Sequence, residues 1–303
     1  MRHDLPIRTS IANRAKRLSV FLTGCCLFLT LATAAYGQLS GQPLNQIVSL
    51  VPSQTSPANS NPLSAKKLQV VDIVFDLDWT LINETTAAMA KQDSQGVFQF
   101  EGKLYRISDH TANVLLALHR QPGVRISIFS GGLQERNQFA VKFIYDEVQR
   151  KVMQEKPFQQ RSMTFRPYKV LSSQDLTPVS TDPKLRFASR FKKDLGRFFN
   201  LESAVLIDDI AEFSMPGQER NMLWIEKTYN DRPRYELVAF ENPEDAKYSA
   251  PNKEEWQRDR NKLLRVKERI LKALQFSRKN NGSFIEAINL FSQTGRACTL
   301  IFN

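Results

Sequence analysis

Asp76 and Asp78, two residues apart, close the mostly apolar run 70–75, and Thr80 follows them. The run is short and rich in β-branched residues, which suits a parallel strand buried on both faces and leaves the acids at its carboxyl end. Open α/β sheets bind their ligands at such ends. An aspartate placed there can attack phosphorus directly and form an aspartyl-phosphate. A second aspartate two positions on can protonate the leaving oxygen and later deprotonate the hydrolytic water. Two carboxylates beside a dianionic phosphate need positive charge, which a hard divalent cation with oxygen ligands, magnesium above all, would supply.

Three further elements follow in the order such a site requires. Residues 125–132 read as an apolar strand ending in Ser130, Gly131 and Gly132. That hydroxyl and the backbone amides after it can hold phosphate oxygens before a helix begins. An ordinary strand-to-helix turn with Ser130 as N-cap has the same sequence. Residues 191–198 are basic, and a lysine among them, Lys192 or Lys193, can neutralise phosphate and the charge of the transition state. Residues 204–210 are another buried-looking strand closed by Asp208 and Asp209, a pair suited to direct and water-mediated coordination of a metal.

These four elements, spread over residues 67–226, resemble the haloacid dehalogenase superfamily of phosphohydrolases. The resemblance implies Asp76 as nucleophile, Asp78 as acid/base, and Thr80, Ser130, Gly131 and Lys193 as phosphate-binding residues. It also implies a magnesium ion held by Asp76, the backbone carbonyl of Asp78 and an acid of the last motif, Asp208 or Asp209. The string Lys193-Asp194-Leu195 with Arg197 is similar to the capless branch that includes the NLI-interacting-factor and carboxy-terminal-domain phosphatases. Two departures touch substrate class more than chemistry. Trp79 stands where small or acidic residues are usual, and Ile210-Ala211-Glu212 replaces the usual Ser-Pro. Core packing is expected for Trp79, with stacking on an aromatic substrate at the site mouth as the alternative.

The expected fold is a doubly wound parallel, Rossmann-like α/β sheet with a β-hairpin flap and no large cap domain. Residues 97–107 alternate around Glu101-Gly102 and supply the hairpin. Helices are expected over 109–119, with Asp109 as an acid at its start, and over 133–154. Residues 159–178 form either a small insertion or a plain connection. The segment 253–279 carries Trp256, Leu263, Val266, Ile270 and Leu274 at helical spacing, with ten basic and four acidic residues. It is expected to pack that stripe on the core as one part of a basic helical region, 252–291. Residues 296–302 read as a closing strand.

Basic residues followed by the apolar run 18–35 fit a secretory signal, with cleavage expected after Gly37; an uncleaved anchor is the alternative. Residues 38–65, rich in Ser, Asn, Gln and Pro, form a tether to the domain at 66–303. The formal charge of +11 becomes +7 once five basic residues and one acidic leave with the signal. Cys25 and Cys26 lie in that signal, so Cys298 has no intramolecular partner and stability must come from the core. His110 and His119 are the histidines of the mature chain, both within an expected helix, which makes Ser-His-Asp catalysis and histidine-rich metal sites improbable.

The sequence therefore reads as an exported, periplasmic or secreted, magnesium-dependent phosphatase acting through Asp76. Its expected partner is a phosphorylated substrate, a phosphoprotein or nucleotide, with no stable nucleic-acid partner and membrane contact only through an uncleaved N-terminal segment. The competing class is a binding protein that keeps the fold without turnover and uses its basic C-terminal region on nucleic acid or an anionic surface.

Overall fold

The computed structural model describes residues 69–155, 164–236 and 248–297. The signal, the tether, Cys298 and most of the expected closing strand lie outside them; Arg296 and Ala297, at its start, are helical.

Strand β1 (Val71–Phe75) has all five residues buried and lies at the centre of a five-stranded sheet. To one side it pairs in parallel with β5 (Val124–Phe129), which pairs with β6 (Val170–Leu171). To the other side it pairs with β9 (Ala204–Asp208), which pairs with β10 (Met222–Trp224). Every pairing is parallel, so the expected α/β class holds. The chain winds outward from β1 through β5 to β6, then returns to β9 and winds the opposite way. The carboxyl ends of β1 and β9 therefore flank the switch point, where an open sheet leaves a crevice.

The two faces are covered differently. Ile73, Phe75, Ile126, Ile128, Val205 and Ile207 face a large core shared with the helices α2 (Thr111–His119) and α3 (Gln134–Glu155). Val74, Phe129, Ala204 and Leu206 face a smaller core roofed by short elements that include Leu176, Leu195 and Phe199. Because strand side chains alternate, Asp76 and Asp208 share the parity of Val74 and Leu206 and belong to this second face.

The segment between Asp78 and Ser130 is fully described and holds no separate cap domain. The hairpin, β3 (Val97–Phe100) and β4 (Lys103–Ile107), turns through Glu101 and Gly102 at φ 47° and 83°, the positive values a two-residue turn requires. A third strand not expected from sequence, β2 (Ile82–Thr85), pairs with β4, and α1 (Ala87–Gln92) follows it. Buried Arg106 fastens this small sheet. It donates to Asp231 at 2.7 Å and to the carbonyls of Met89, Asp93 and Gln95 at 3.2, 2.5 and 3.0 Å.

Several sequence expectations shift. His110 is the N-cap of α2, at φ 66°, rather than a residue inside a helix, and Asp109 pairs with Arg260 instead of starting the helix. Beyond residue 163, the segment 159–178 forms neither a plain connection nor an insertion: β6 is the sheet's fifth strand, and β7 (Thr177–Pro178) pairs with β8 (Phe191–Lys192) after a short helix, α4 (Phe187–Arg190). The basic region is not one helix. Asn261 separates α5 (Lys253–Arg260) from α6 (Lys262–Asn280), and α7 (Phe284–Ala297) packs on α6. Leu263, Val266, Ile270 and Leu274 are buried as expected. Much of the basic charge is engaged internally: Arg260 with Asp109, Lys262 with Asp259, Arg258 with Glu226, Lys272 with Glu268.

Candidate active site

The ladder between β1 and β9 runs one bond past the strand, from the amide of Asp76 to the carbonyl of Ile207 at 2.8 Å. That bond sets the carboxylates of Asp76 and Asp208 side by side on the second face. Lys193 reaches them from beyond β8, whose neighbour across the gap is Phe213: the Lys193 amide donates to the Phe213 carbonyl at 2.8 Å. Its fully buried ammonium donates to Asp76 at 2.5 Å and to Asp208 at 2.6 Å. Lys192, the other lysine open from sequence, points away and donates to the carbonyl of Glu212.

Asp76, Asp208 and Asp209 present carboxylate oxygens that all lie within 4.8 Å of one another. Asp208 is the most committed of the three, since its second oxygen accepts from the Ile210 amide at 2.8 Å. Asp209 is partly exposed and accepts only a long bond from the Thr228 hydroxyl, 3.4 Å, among those resolved at its carboxylate.

Asp78 projects to the rim of the cluster, where Arg136 grips it with two parallel bonds of 2.6 and 2.5 Å. Ser130, fully buried, donates to the same carboxylate at 3.2 Å and accepts from the Gly132 amide at 3.1 Å. Asn137 holds the guanidinium from behind with its side-chain oxygen, 2.9 Å from Nη2, while its amide nitrogen donates to Gly132 and Ser172. A Cβ on Gly132 would lie 2.0 Å from Arg136 Nη2, so the arginine sits where only glycine leaves room. Gly131 packs beneath Phe187, whose ring would meet a Cβ at 3.2 Å. Thr80 is fully buried, and its hydroxyl has no hydrogen-bond partner among the described residues.

Four carboxylates thus crowd one crevice against two cations, Lys193 and Arg136. Burial lifts Asp76 well above the usual carboxylate range; Lys193 pulls against it, and Asp208, Asp78 and Asp209 push the same way as burial. Asp209 is pushed up to about 7, by burial first and Asp208 next. Burial opposes the charge on Lys193, but Asp208 and Asp76 outweigh it and hold the ammonium above its ordinary value. An all-oxygen donor set with surplus negative charge fits a hard divalent cation.

Arg136 was not singled out from sequence, because an arginine early in a helix is ordinarily a solvated side chain. The signal for it was the Gly131-Gly132 pair, together with a cation in the first turn of α3, where the helix dipole disfavours one. Trp79 corrects an expectation in the other direction: it is half-buried at the site mouth, not in the core, and its ring centroid lies 6.4 Å from that of Tyr248.

No protein-family model matches the chain, and no curated protein matches it. Among solved structures, it is similar to Fcp1, an essential RNA polymerase II CTD phosphatase, with 15% identity and a TM-score of 0.41, covering 72% of this chain and 69% of that one. It is also similar to the fission yeast RNA polymerase II CTD phosphatase Fcp1 bound to beryllium fluoride, with 17% identity and a TM-score of 0.34, covering 66% of this chain and 51% of that one.

Proposed function

We propose that the protein is a magnesium-dependent phosphohydrolase that cleaves phosphomonoesters through an aspartyl-phosphate on Asp76, and that it works after export. The observation that carries the chemistry is the meeting of Asp76, Asp208 and Asp209 around the buried Lys193 ammonium at the switch point. A purely structural ion pair needs one carboxylate per lysine, and clustering three acids in a crevice has a cost that a bound cation and a phosphate substrate explain.

In this reading Asp76 attacks phosphorus; its bond to Lys193 orients the carboxylate and favours the ionised form against burial, and a bound divalent cation would favour it further. Lys193 then neutralises the phosphoryl oxygens as charge develops on them. Asp78, fixed by Arg136 and Ser130, hands a proton to the leaving oxygen and takes one from the attacking water in the second half-reaction. Asp76 and Asp209 are the side chains that would hold magnesium, because Asp208 is already occupied by Lys193 and the Ile210 amide. The cation, when bound, polarises the phosphoryl oxygen and offsets the surplus carboxylate charge. Export rests on the sequence of residues 1–37, and fractionation of cells carrying the full chain tests it.

The test of activity is phosphate release from p-nitrophenyl phosphate by the chain without residues 1–37, with and without magnesium, beside Asp76→Asn. Magnesium-dependent turnover that vanishes in the variant is the expected result. Undiminished turnover in Asp76→Asn would sink the mechanism.

A further inference from the structure

Trp79 adopts φ 60°, a left-handed backbone conformation that bulky L residues rarely take. Such a residue is strained, and it persists only where its surroundings hold it. Here the Trp79 amide donates to the Ile82 carbonyl at 2.7 Å, and the Trp79 carbonyl accepts from Lys262 at 2.6 Å. Lys262 is itself buried at the start of α6 and paired with Asp259 at 3.1 Å. The same turn is closed at its base by the amides of Leu81 and Ile82, both 2.9 Å from the Leu77 carbonyl. Glycine would satisfy this backbone without strain, so the tight turn does not explain a tryptophan. The indole does something the turn alone does not need.

Where the indole stands supplies the reason. A cleft of about 450 Å³ includes Asp78 in its lining, together with Trp79, Tyr105, Tyr248, Lys103 and Arg136. Its volume lies in the range of small-molecule sites, about 300–1,000 Å³, and exceeds what a phosphate alone fills. The Trp79 and Tyr248 rings are tilted 47° to each other rather than stacked, and the half-buried indole keeps part of its surface on the cleft. The backbone strain and the cleft are independent observations, and both place an aromatic surface beside the proton-transfer carboxylate.

We propose that this cleft is the leaving-group subsite and that it takes a planar aromatic group of nucleoside size, stacked on Trp79. The substrate class is then the nucleoside monophosphates. The proposal rests on the phosphatase reading above and adds the part of the substrate that the acids do not recognise.

The experiment compares kcat/KM for AMP and ribose 5-phosphate, which share phosphate and sugar and differ by the base. Base stacking on an aromatic side chain contributes about 1–3 kcal/mol, so AMP is expected to be favoured by about 5- to 150-fold. Trp79→Ala should bring that ratio to near one, and Trp79→Phe should restore part of it. Should Trp79→Ala not fold, Tyr248→Ala at its half-exposed position makes the same comparison. In parallel, adenosine is titrated into the wild-type chain and tryptophan emission recorded; saturable quenching that Trp79→Ala weakens at least tenfold is the expected result. Equal kcat/KM for the two substrates in the wild type, or a ratio unmoved by Trp79→Ala, overturns the subsite. If neither substrate turns over, the phosphatase reading fails, and the adenosine titration still decides the subsite: no quenching overturns it.

Discussion

Gly132→Ala is the most economical test of how Asp78 is held. The new methyl would fall 2.0 Å from Arg136 Nη2, 2.6 Å from Cζ and 2.8 Å from the Asn137 side-chain oxygen. The backbone at this glycine imposes no left-handed requirement, so the side chains must yield, the guanidinium most and the Asn137 amide by a few tenths of an ångström. Losing it removes two charge-assisted bonds to Asp78, worth about 1.5–3 kcal/mol each away from water. The Asp78 side chain is 37% exposed and that of Arg136 16%, so water compensates much of this; the net destabilisation should be about 1–2 kcal/mol. Activity should suffer more. Proton transfer by a positioned side chain contributes about 10²–10⁴-fold, and displacing it by about 1 Å can cost about 10²-fold. Turnover of p-nitrophenyl phosphate is therefore expected to fall about 100-fold, with the urea midpoint moving only slightly. Arg136→Gln should do the same, and the double variant should be no worse than the poorer single one, because both changes remove one interaction. Additive losses, or wild-type turnover in a folded Gly132→Ala protein, would refute the positioning role of Arg136.

Lys193→Met should abolish turnover and destabilise by about 3–5 kcal/mol, since two buried carboxylates lose their partner; the loss should be larger at pH 8 than at pH 5, where protonated carboxyls tolerate burial, as urea unfolding at both values will show. Arg106→Met removes the 2.7 Å ion pair of buried Asp231, which keeps the Thr85 hydroxyl and Arg260, and takes a donor from three carbonyls beneath the hairpin; it should cost ~3 kcal/mol and speed amide exchange in β2 to β4. Burial pushes the His119 imidazole from 6.5 down to about 4. The unfolded chain then binds a proton that the folded one refuses, so stability is complete above pH 6.5 and is lost as pH falls through the window to about 4. The shift alone corresponds to about 3 kcal/mol, which partial exposure reduces to ~1–2 kcal/mol. His119→Gln should flatten that part of the stability profile, and an unchanged slope between pH 6.5 and 4 would exclude His119 as its source.

What was legible in the sequence is what strand ends write into it. The runs ending at Phe75, Phe129 and Ile207 are buried on both faces at their carboxyl ends, so each is mostly apolar, interrupted by Asp72 in β1 and by Arg125 and Ser127 in β5, and the polar residue after the last apolar one marks the exit. Residues whose position depends on a partner far along the chain leave no such mark. Lys192 and Lys193 are equivalent by type and setting; only the pairing of the Lys193 amide with Phe213 decides which ammonium enters the crevice. β2 and β6 are too short for a period to show, and they exist because β4 and β5 offer them open edges. The break at Asn261 is silent because the buried stripe begins at Leu263, beyond it, while Trp256 in α5 satisfies a different contact, donating to the Arg232 carbonyl at 2.9 Å. Arg136 and Trp79 share a further property: each violates a local preference, a cation in a helix's first turn and a bulky residue at positive φ. At these two positions the departure from local preference coincides with the surroundings of Asp78: Arg136 grips its carboxylate, and Trp79 follows it in the chain and lines the same cleft.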